Sequence, residues 1–307
     1  MANQLITVGQ LQALTKPGLD SIQTLYKQYP TKWKQFMTIR DSFKAVEYYA
    51  EMAMLNAGAR MAEGTDIPMG TMSEFLTGYA ENFQYGVGFS ITKIAISDNL
   101  YKDYFPKGVQ AITYNLRLVS ENEAIGLFDN AFSNASPVYT LPDGQPMCSA
   151  NHPIQGGVYS NLVQPAELNE TSAEAMIVTA QNIVDASGQR CMITCKKYLV
   201  GLPNQFIVNI LTGSNFQPGT ANNAVNPLTY GDYLDQGFIV NPFMAVPSNF
   251  FLLTDYEAGL VHYLREPLSI ETSTDQSNLN LGVYGNERYR NICYNGRSVI
   301  GCQGFGS

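Results

Sequence analysis

From Gly86 to Asn134 the apolar positions change period once, and the rest of the chain is organised around that change. The first piece, GVGFSITKIAI, alternates Val87, Phe89 and Ile91 with Gly88, Ser90 and Thr92, which predicts a strand. Ser97, Asp98 and Asn99 are N-cap residue types, so a helical region is expected to begin there. Pro106 marks either a kink or a helix start. Beyond it no proline occurs up to Phe132. Val109, Ile112, Leu116 and Val119 share a face that Ala124, Leu127 and Ala131 continue. At about 1.5 Å per residue this is a helix of roughly 40 Å, a spine rather than an ordinary packing helix.

On either side the patterns are shorter. Residues 1–58 read as mostly helical segments punctuated by Pro17 and Pro30, with 42–56 as a further helix or an extended arm. Glycines 58, 64, 70 and 78 and Pro68 exclude a helix over 58–85. The aromatic residues that return at Phe75, Tyr79, Phe83 and Tyr85 fit an out-and-back hairpin that must lie on something else. Pro142-Asp143-Gly144 predicts a turn within a β-hairpin. Residues 170–255 read as a compact α/β unit. A helix capped at Thr171–Glu174 is closed by Gly188, then a strand spans CMITCKKYLVG, a short helix follows, and two strands end the unit. Residues 259–307 alternate like long strands. The fold class is α+β, without internal repeats.

Composition changes this picture in one respect. Charged residues make up 14% of the 307, against about 25% in average soluble proteins, while 19 Tyr and 15 Phe accompany a single Trp. Protein interfaces deplete charge and enrich aromatic residues, so a surface largely covered by partners is expected. The charges are also segregated. Residues 1–44 hold six basic and two acidic residues, net +4, and the remainder holds 12 basic and 24 acidic, net −12, giving −8 overall. A basic arm on an acidic body is suited to lying on neighbouring copies. No basic stripe with interleaved aromatic residues points to sequence-specific nucleic-acid binding. No apolar run reaches the roughly 18 residues of a membrane span, no signal-peptide order opens the sequence, and five irregularly spaced cysteines fit reduced thiols.

Candidate chemistry is sparse. There is no phosphate-cradling glycine loop, HExxH or GxSxG. Cys148 and His152 with Cys191 and Cys195 have the residue types of a tetrahedral zinc site. Placed in one strand, however, Cys191 and Cys195 stand about 13 Å apart, too far for one ion. A Cys148–His152 nucleophile pair lacks a third orienting group. Glu121 and Glu123, two apart on the spine helix, point to different faces and make no acid/base pair. No catalytic residue, metal or cofactor is expected.

The order of these segments resembles a known family. YGVGFSITKIAISDNLY (Tyr85–Tyr101), DNAF (Asp129–Phe132), DGQPMCSANHP (Asp143–Pro153), PGTANNAVNPL (Pro218–Leu228) and FLL (Phe251–Leu253) are together similar to tailed-bacteriophage major capsid proteins, within them the Mu-like major head subunit group. The resemblance runs from about Ala13 to the end and implies the Hong Kong 97-like phage capsid fold. It would make 1–58 an N-terminal arm and 59–85 an extended loop. Residues 86–164 and 259–307 would be a peripheral domain with the spine helix, and 165–258 an axial domain. Contact candidates between subunits are Trp33, Arg40, Glu63, Asp66, Phe75, Tyr79 and Phe83, and around the capsomer centre Gly219, Asn222, Asn223 and Asn226.

The implied function is a structural one. Copies would form hexamers and pentamers of an icosahedral head around double-stranded DNA, touched weakly and without sequence preference. A separate scaffolding protein, a portal and decoration proteins are the further partners, in a virion assembled in the bacterial cytoplasm. Some relatives crosslink a lysine of the extended loop to a neighbour's asparagine; residues 59–85 contain no lysine, so no such bond is expected. An encapsulin-like compartment is the alternative in the same fold, and a metal- or thiol-dependent enzyme the alternative outside it.

Overall fold

The computed structural model describes residues 31–53, 55, 60–61, 63–64, 66–67, 69–70, 72–98, 104–217, 225–230, 233–235, 237–256, 259–274 and 279–305. Two of its features replace helix with extended chain over 31–41 and decide 42–53 for the extended alternative. Trp33–Gln35 form a single 3-10 turn, and the chain then extends as β1 (Thr38–Asp41) and β2 (Val46–Ala53). β2 pairs antiparallel with β3 (Ser73–Glu81). The hairpin therefore leaves the body at Val46, well before the residues read as its start. VEYYAEMA carries Val and two Tyr that suit a pleated surface, and its strand partner outweighs the Glu, Ala and Met that favour helix.

β4 (Phe83–Ile91) ends earlier than the apolar run. Lys93–Ser97 is a short helix, α1, and its N-cap is Thr92, whose Oγ1 accepts from the Ala95 N–H at 3.3 Å. The cap thus lies five residues before the Ser97 cluster. The spine helix, α2, runs Tyr104–Asp129, so Pro106 sits in the first turn, where a missing N–H costs nothing, and marks a start rather than a kink. After it the Pro142–Gly144 turn is present: the Leu141 carbonyl accepts from Gly144 N–H at 2.9 Å, and Asp143 Oδ1 from Gln145 N–H at 2.9 Å. The hairpin itself comes later, β5 (His152–Ile154) to β6 (Gly157–Tyr159), turning at Gly156 with φ +87°. β7 (Leu162–Val163) follows.

α3 (Glu170–Gln181) is capped by Asn169, not by Thr171. Asn169 Oδ1 accepts from Ser172 N–H and Ser172 Oγ from Asn169 N–H, at 2.8 and 2.9 Å. Then come β8 (Cys195–Val200), α4 (Gln205–Gly213), α5 (Pro227–Tyr230), β9 (Phe238–Val240), β10 (Phe250–Thr254), β11 (Leu260–Thr274), β12 (Leu281–Cys293) and β13 (Val299–Cys302).

Among the described residues these strands make two main sheets. One has the order β1-β11-β12-β4, the other β7-β13-β10-β8-β9. The spine helix joins them. Its first half buries Val109, Ile112 and Leu116 with Val283 of β12 and Ile91 of β4. Its second half buries Ala124, Ile125, Leu127 and Phe128 with Phe251, Leu253 and Leu199 of the other sheet. Close seating depends on glycine at two facing positions: a Cβ on Gly285 would fall 2.3 Å from Ile112, and one on Gly108 would fall 2.4 Å from the Phe89 ring. β10 is buried on both faces, as a run of Phe, Phe, Leu and Leu requires. Phe251 and Leu253 meet the spine, while Phe250 and Leu252 meet Met176, Ile177, Val208 and Leu211 of α3 and α4. Each such side chain contributes about 1.5–3 kcal/mol on burial. No helix among the described residues is long and apolar enough to cross a membrane.

Candidate assembly surfaces and the network behind them

The hairpin β2–β3 places Tyr48 directly opposite Tyr79, and both rings are mostly exposed, 78% and 67%. Toward and around the tip, Met52, Leu55, Met61, Ile67, Met69 and Met72 are also exposed. Residues 46–81 contain six carboxylates, one arginine and no lysine. An apolar row of this extent on a charge-poor chain has the composition of a surface that another molecule covers.

The root of the hairpin is fixed from inside. Ala80 is buried with Val261, Tyr263 and Ile292, and Tyr49 packs edge-on against Tyr294 at 4.2 Å. Asn82 Nδ2 donates to Ser42 Oγ at 2.8 Å and to the Lys44 carbonyl at 3.0 Å. Glu51 of β2 pairs with Arg297, a guanidinium that is 1% exposed. Arg297 Nε donates to the Val184 carbonyl at 2.7 Å, and its plane lies 4.5 Å from the Tyr159 ring centre. Burial raises the Glu51 carboxyl and Arg297 opposes that rise. His152 stacks on Tyr159 at 4.9 Å. Its Nδ1 lies 2.7 Å from Asp143 Oδ2, and its Nε2 lies 3.1 Å from Asn161 Oδ1. Asn161 Nδ2 donates to the carbonyls of Met147, Gly296 and Val299 at 2.7, 2.6 and 2.9 Å. Hairpin stem, Pro142 turn and C-terminal strand are thereby tied together.

This arrangement answers the thiol question. Both nitrogens of His152 face oxygens of Asp143 and Asn161, and burial pushes the Cys148 thiol well above its ordinary value. Burial likewise raises Cys195 to about 11, and Cys191 lies outside β8 rather than in one strand with it. Among the described residues no group of three His, Cys, Asp or Glu side chains is placed to hold a metal ion.

The contact candidates divide. Trp33 is buried inside its own chain, stacked on His262 at 4.2 Å with Nε1 donating to Ser120 Oγ at 3.3 Å, so its side chain is a core anchor instead of a contact. Glu121 of the spine holds the same segment by accepting from the Lys32 and Trp33 N–H groups. Asn226 is also buried. Its Nδ2 donates to the Leu211 and Ser214 carbonyls and its Oδ1 accepts from Leu228 N–H, which closes the turn before α5. Arg40, Glu63, Asp66 and Tyr79 are exposed, while Phe75 and Phe83 are half-buried, Phe83 covering the Arg290 guanidinium at 4.8 Å. Gly219, Asn222 and Asn223 lie outside the described residues. The sequence reading did not single out Tyr48 or the outer face of α4, where Phe206, Ile207 and Ile210 are exposed. In QFIVNILTG the polar side is Gln205, Asn209 and Thr212, so the pattern marks Phe206, Ile207 and Ile210 as core instead of surface.

No protein-family model matches the chain, and no curated protein matches it in sequence. Solved structures do. One from Mycobacterium phage Patience aligns over 98% of this chain and 91% of its own, at 11% identity and a TM-score of 0.57. The virus-like particle from Pyrococcus furiosus aligns over 94% of this chain and 98% of its own, at 7% identity and 0.55. The procapsid of bacteriophage JBD30 aligns over 97% and 76%, at 13% identity and 0.52. Over nearly its whole length, then, the chain has the mixed α+β fold found in a phage procapsid and in a virus-like particle.

Proposed function

We propose that the protein is the major capsid subunit of a tailed bacteriophage, a structural protein without catalytic activity. The observation that supports this best is the end-to-end likeness to the JBD30 procapsid. A likeness confined to one sheet would allow many functions; this one takes in the spine helix, both sheets and the hairpin. In this reading the exposed Tyr48–Tyr79 pair and the methionine-rich row lie on neighbouring copies, and self-association into hexamers and pentamers builds the shell. Arg40, Glu63, Asp66, Phe75 and Phe83 remain contact residues on the same grounds. The residues before Val46 serve as arm, the hairpin from Val46 to Glu81 as extended loop in place of 59–85, and 86–164 with 259–307, and 165–258, as peripheral domain and axial domain. Gly219, Asn222 and Asn223 belong to the capsomer centre. A separate scaffolding protein, a portal and packaged double-stranded DNA complete the partners, in a head assembled in the host cytoplasm.

Electron microscopy and size-exclusion chromatography of the native chain test this directly. Capsomers or closed shells are expected; a stable monomer under all assembly conditions would refute it. The Pyrococcus furiosus virus-like particle supports a second reading, a compartment shell. Contents separate the two: nucleic acid inside purified particles for a phage head, an enclosed protein for a compartment.

A further inference from the structure

Three groups that can form an amide converge beside the apolar cluster built on the second half of the spine. Lys32 stands just before the 3-10 turn, Glu121 on α2, and Asn241 directly after β9. Glu121 is 5% exposed and Asn241 wholly buried. Glu121 Oε1 accepts from the Lys32 and Trp33 N–H groups, which seats the start of the lysine stem on the carboxylate. The Lys32 ammonium reaches the Val240 carbonyl, in the peptide group that carries Asn241. Asn241 Oδ1 accepts from Phe243 N–H at 2.9 Å. Two atoms remain: Asn241 Nδ2 and Glu121 Oε2 are buried without a hydrogen-bond partner among the described residues.

Buried polar atoms are almost always paired, and leaving two unpaired opposes folding. The side chains do sense each other. Burial raises the Glu121 carboxyl, and the Lys32 and Trp33 N–H groups, the Asn241 amide and the Lys32 charge lower it again. A buried carboxyl so placed can carry a proton between two nitrogens. Phe243 N–H, aimed at Oδ1, lies where charge develops when an amine adds to the amide carbon. Trp33, Ile239 and Met244, close in sequence to Lys32 or Asn241, belong to one buried apolar cluster. Such surroundings favour a neutral amine over an ammonium and keep water from hydrolysing the product.

We propose that Lys32 and Asn241 of one chain become joined by an isopeptide bond, with Glu121 as the proton carrier. Lys32 has to swing from the Val240 carbonyl to the side chain of the next residue. Glu121 takes a proton from the Lys32 ammonium. The free amine adds to Asn241 Cγ, and Phe243 N–H holds the oxyanion at Oδ1. Glu121 delivers its proton to Nδ2, the Cγ–Nδ2 bond breaks, and ammonia leaves with the further proton that Nζ sheds. Nothing is oxidised or reduced, and no co-reactant is needed. The bond lies within a subunit and fastens the segment before β1 to the five-stranded sheet. It joins no neighbouring copies, involves no residue of the hairpin, and does not depend on the shell reading.

The test is intact-mass spectrometry of the full chain, followed by tandem mapping of its proteolytic peptides. The wild type is expected to be one ammonia lighter than its sequence, with the peptides of Lys32 and Asn241 recovered as one branched species. Lys32→Arg, Asn241→Ala and Glu121→Gln are each expected to restore the full sequence mass. Lys34→Arg, at an exposed neighbour, is expected to keep the loss. A wild type at full sequence mass overturns the proposal, and that measurement needs no variant to fold. So does an ammonia loss that maps to a succinimide at Asn295–Gly296, or one that survives Lys32→Arg. Electron microscopy of the same samples keeps the two ideas apart: shells of full-mass chains sink only this proposal, and linked chains that never assemble sink only the shell.

Discussion

Arg297, buried near the C-terminal strand, pairs with Glu51 on the outgoing strand of the hairpin, 246 residues earlier in the chain. The two partners are not equivalent. Removing the carboxylate by Glu51→Leu leaves a guanidinium in the interior, which costs about 3–5 kcal/mol. Removing the cation by Arg297→Met leaves Glu51, whose carboxyl burial already pushes up and whose side chain is 18% exposed, so it is neutralised more readily. Urea unfolding is expected to show Glu51→Leu as the more damaging change, with the double variant recovering part of the loss.

His262 gives the protein an acid limit. It lies between Trp33 at 4.2 Å and Tyr289 at 5.0 Å, with Nδ1 donating to Asn291 Oδ1 at 2.6 Å. Burial lowers its pKa from 6.5 to about 4, with Lys34 adding to the effect and Asn291 opposing it. The folded state thus takes up this proton later than the unfolded chain does. Its stabilising contribution is complete above pH 6.5 and is lost as pH falls toward 4, by about 3 kcal/mol in all. His262→Phe is expected to flatten the stability profile across that window in a pH series of denaturant titrations.

On the outer face of the hairpin, Tyr48→Ser with Tyr79→Ser is expected to leave the unfolding midpoint nearly unchanged, within about 0.5 kcal/mol, because both rings face solvent. Assembly, read by sedimentation, is expected to fail. A large loss of stability instead would mean that the pair supports its own chain.

No lysine occurs anywhere between Val46 and Glu81. Boiled, reduced particles are accordingly expected to run as one band near 33.8 kDa. A ladder of covalent multimers would show a crosslink from another part of the chain.

Regular periods were legible and cross-chain partners were not. The spine helix stood out because its apolar face repeats over many turns, and β10 because FFLL is apolar throughout. The pattern leaves β2 open between helix and extended arm because Glu, Ala and Met are good helix formers and its partner, β3, begins 20 residues further on. Trp33 looked like a contact residue because a lone Trp on a basic segment carries no sign that Ser120, Glu121 and His262 close around it. The Asp143–His152–Asn161 network was equally hidden, since hydrogen-bond geometry has no sequence period.

The bridging of both sheets by one helix has a mechanical consequence. At about 1.5 Å per residue a 26-residue rod is about 39 Å long, so a tilt of about 5° at one end moves the other by about 3 Å. Packed on a sheet at each end, the rod acts as a lever: a small rotation at the hairpin's root reaches the opposite sheet as a displacement of atomic size. In the shell proposed above, such a rod would let one sequence meet positions of different curvature by turning a rigid arm.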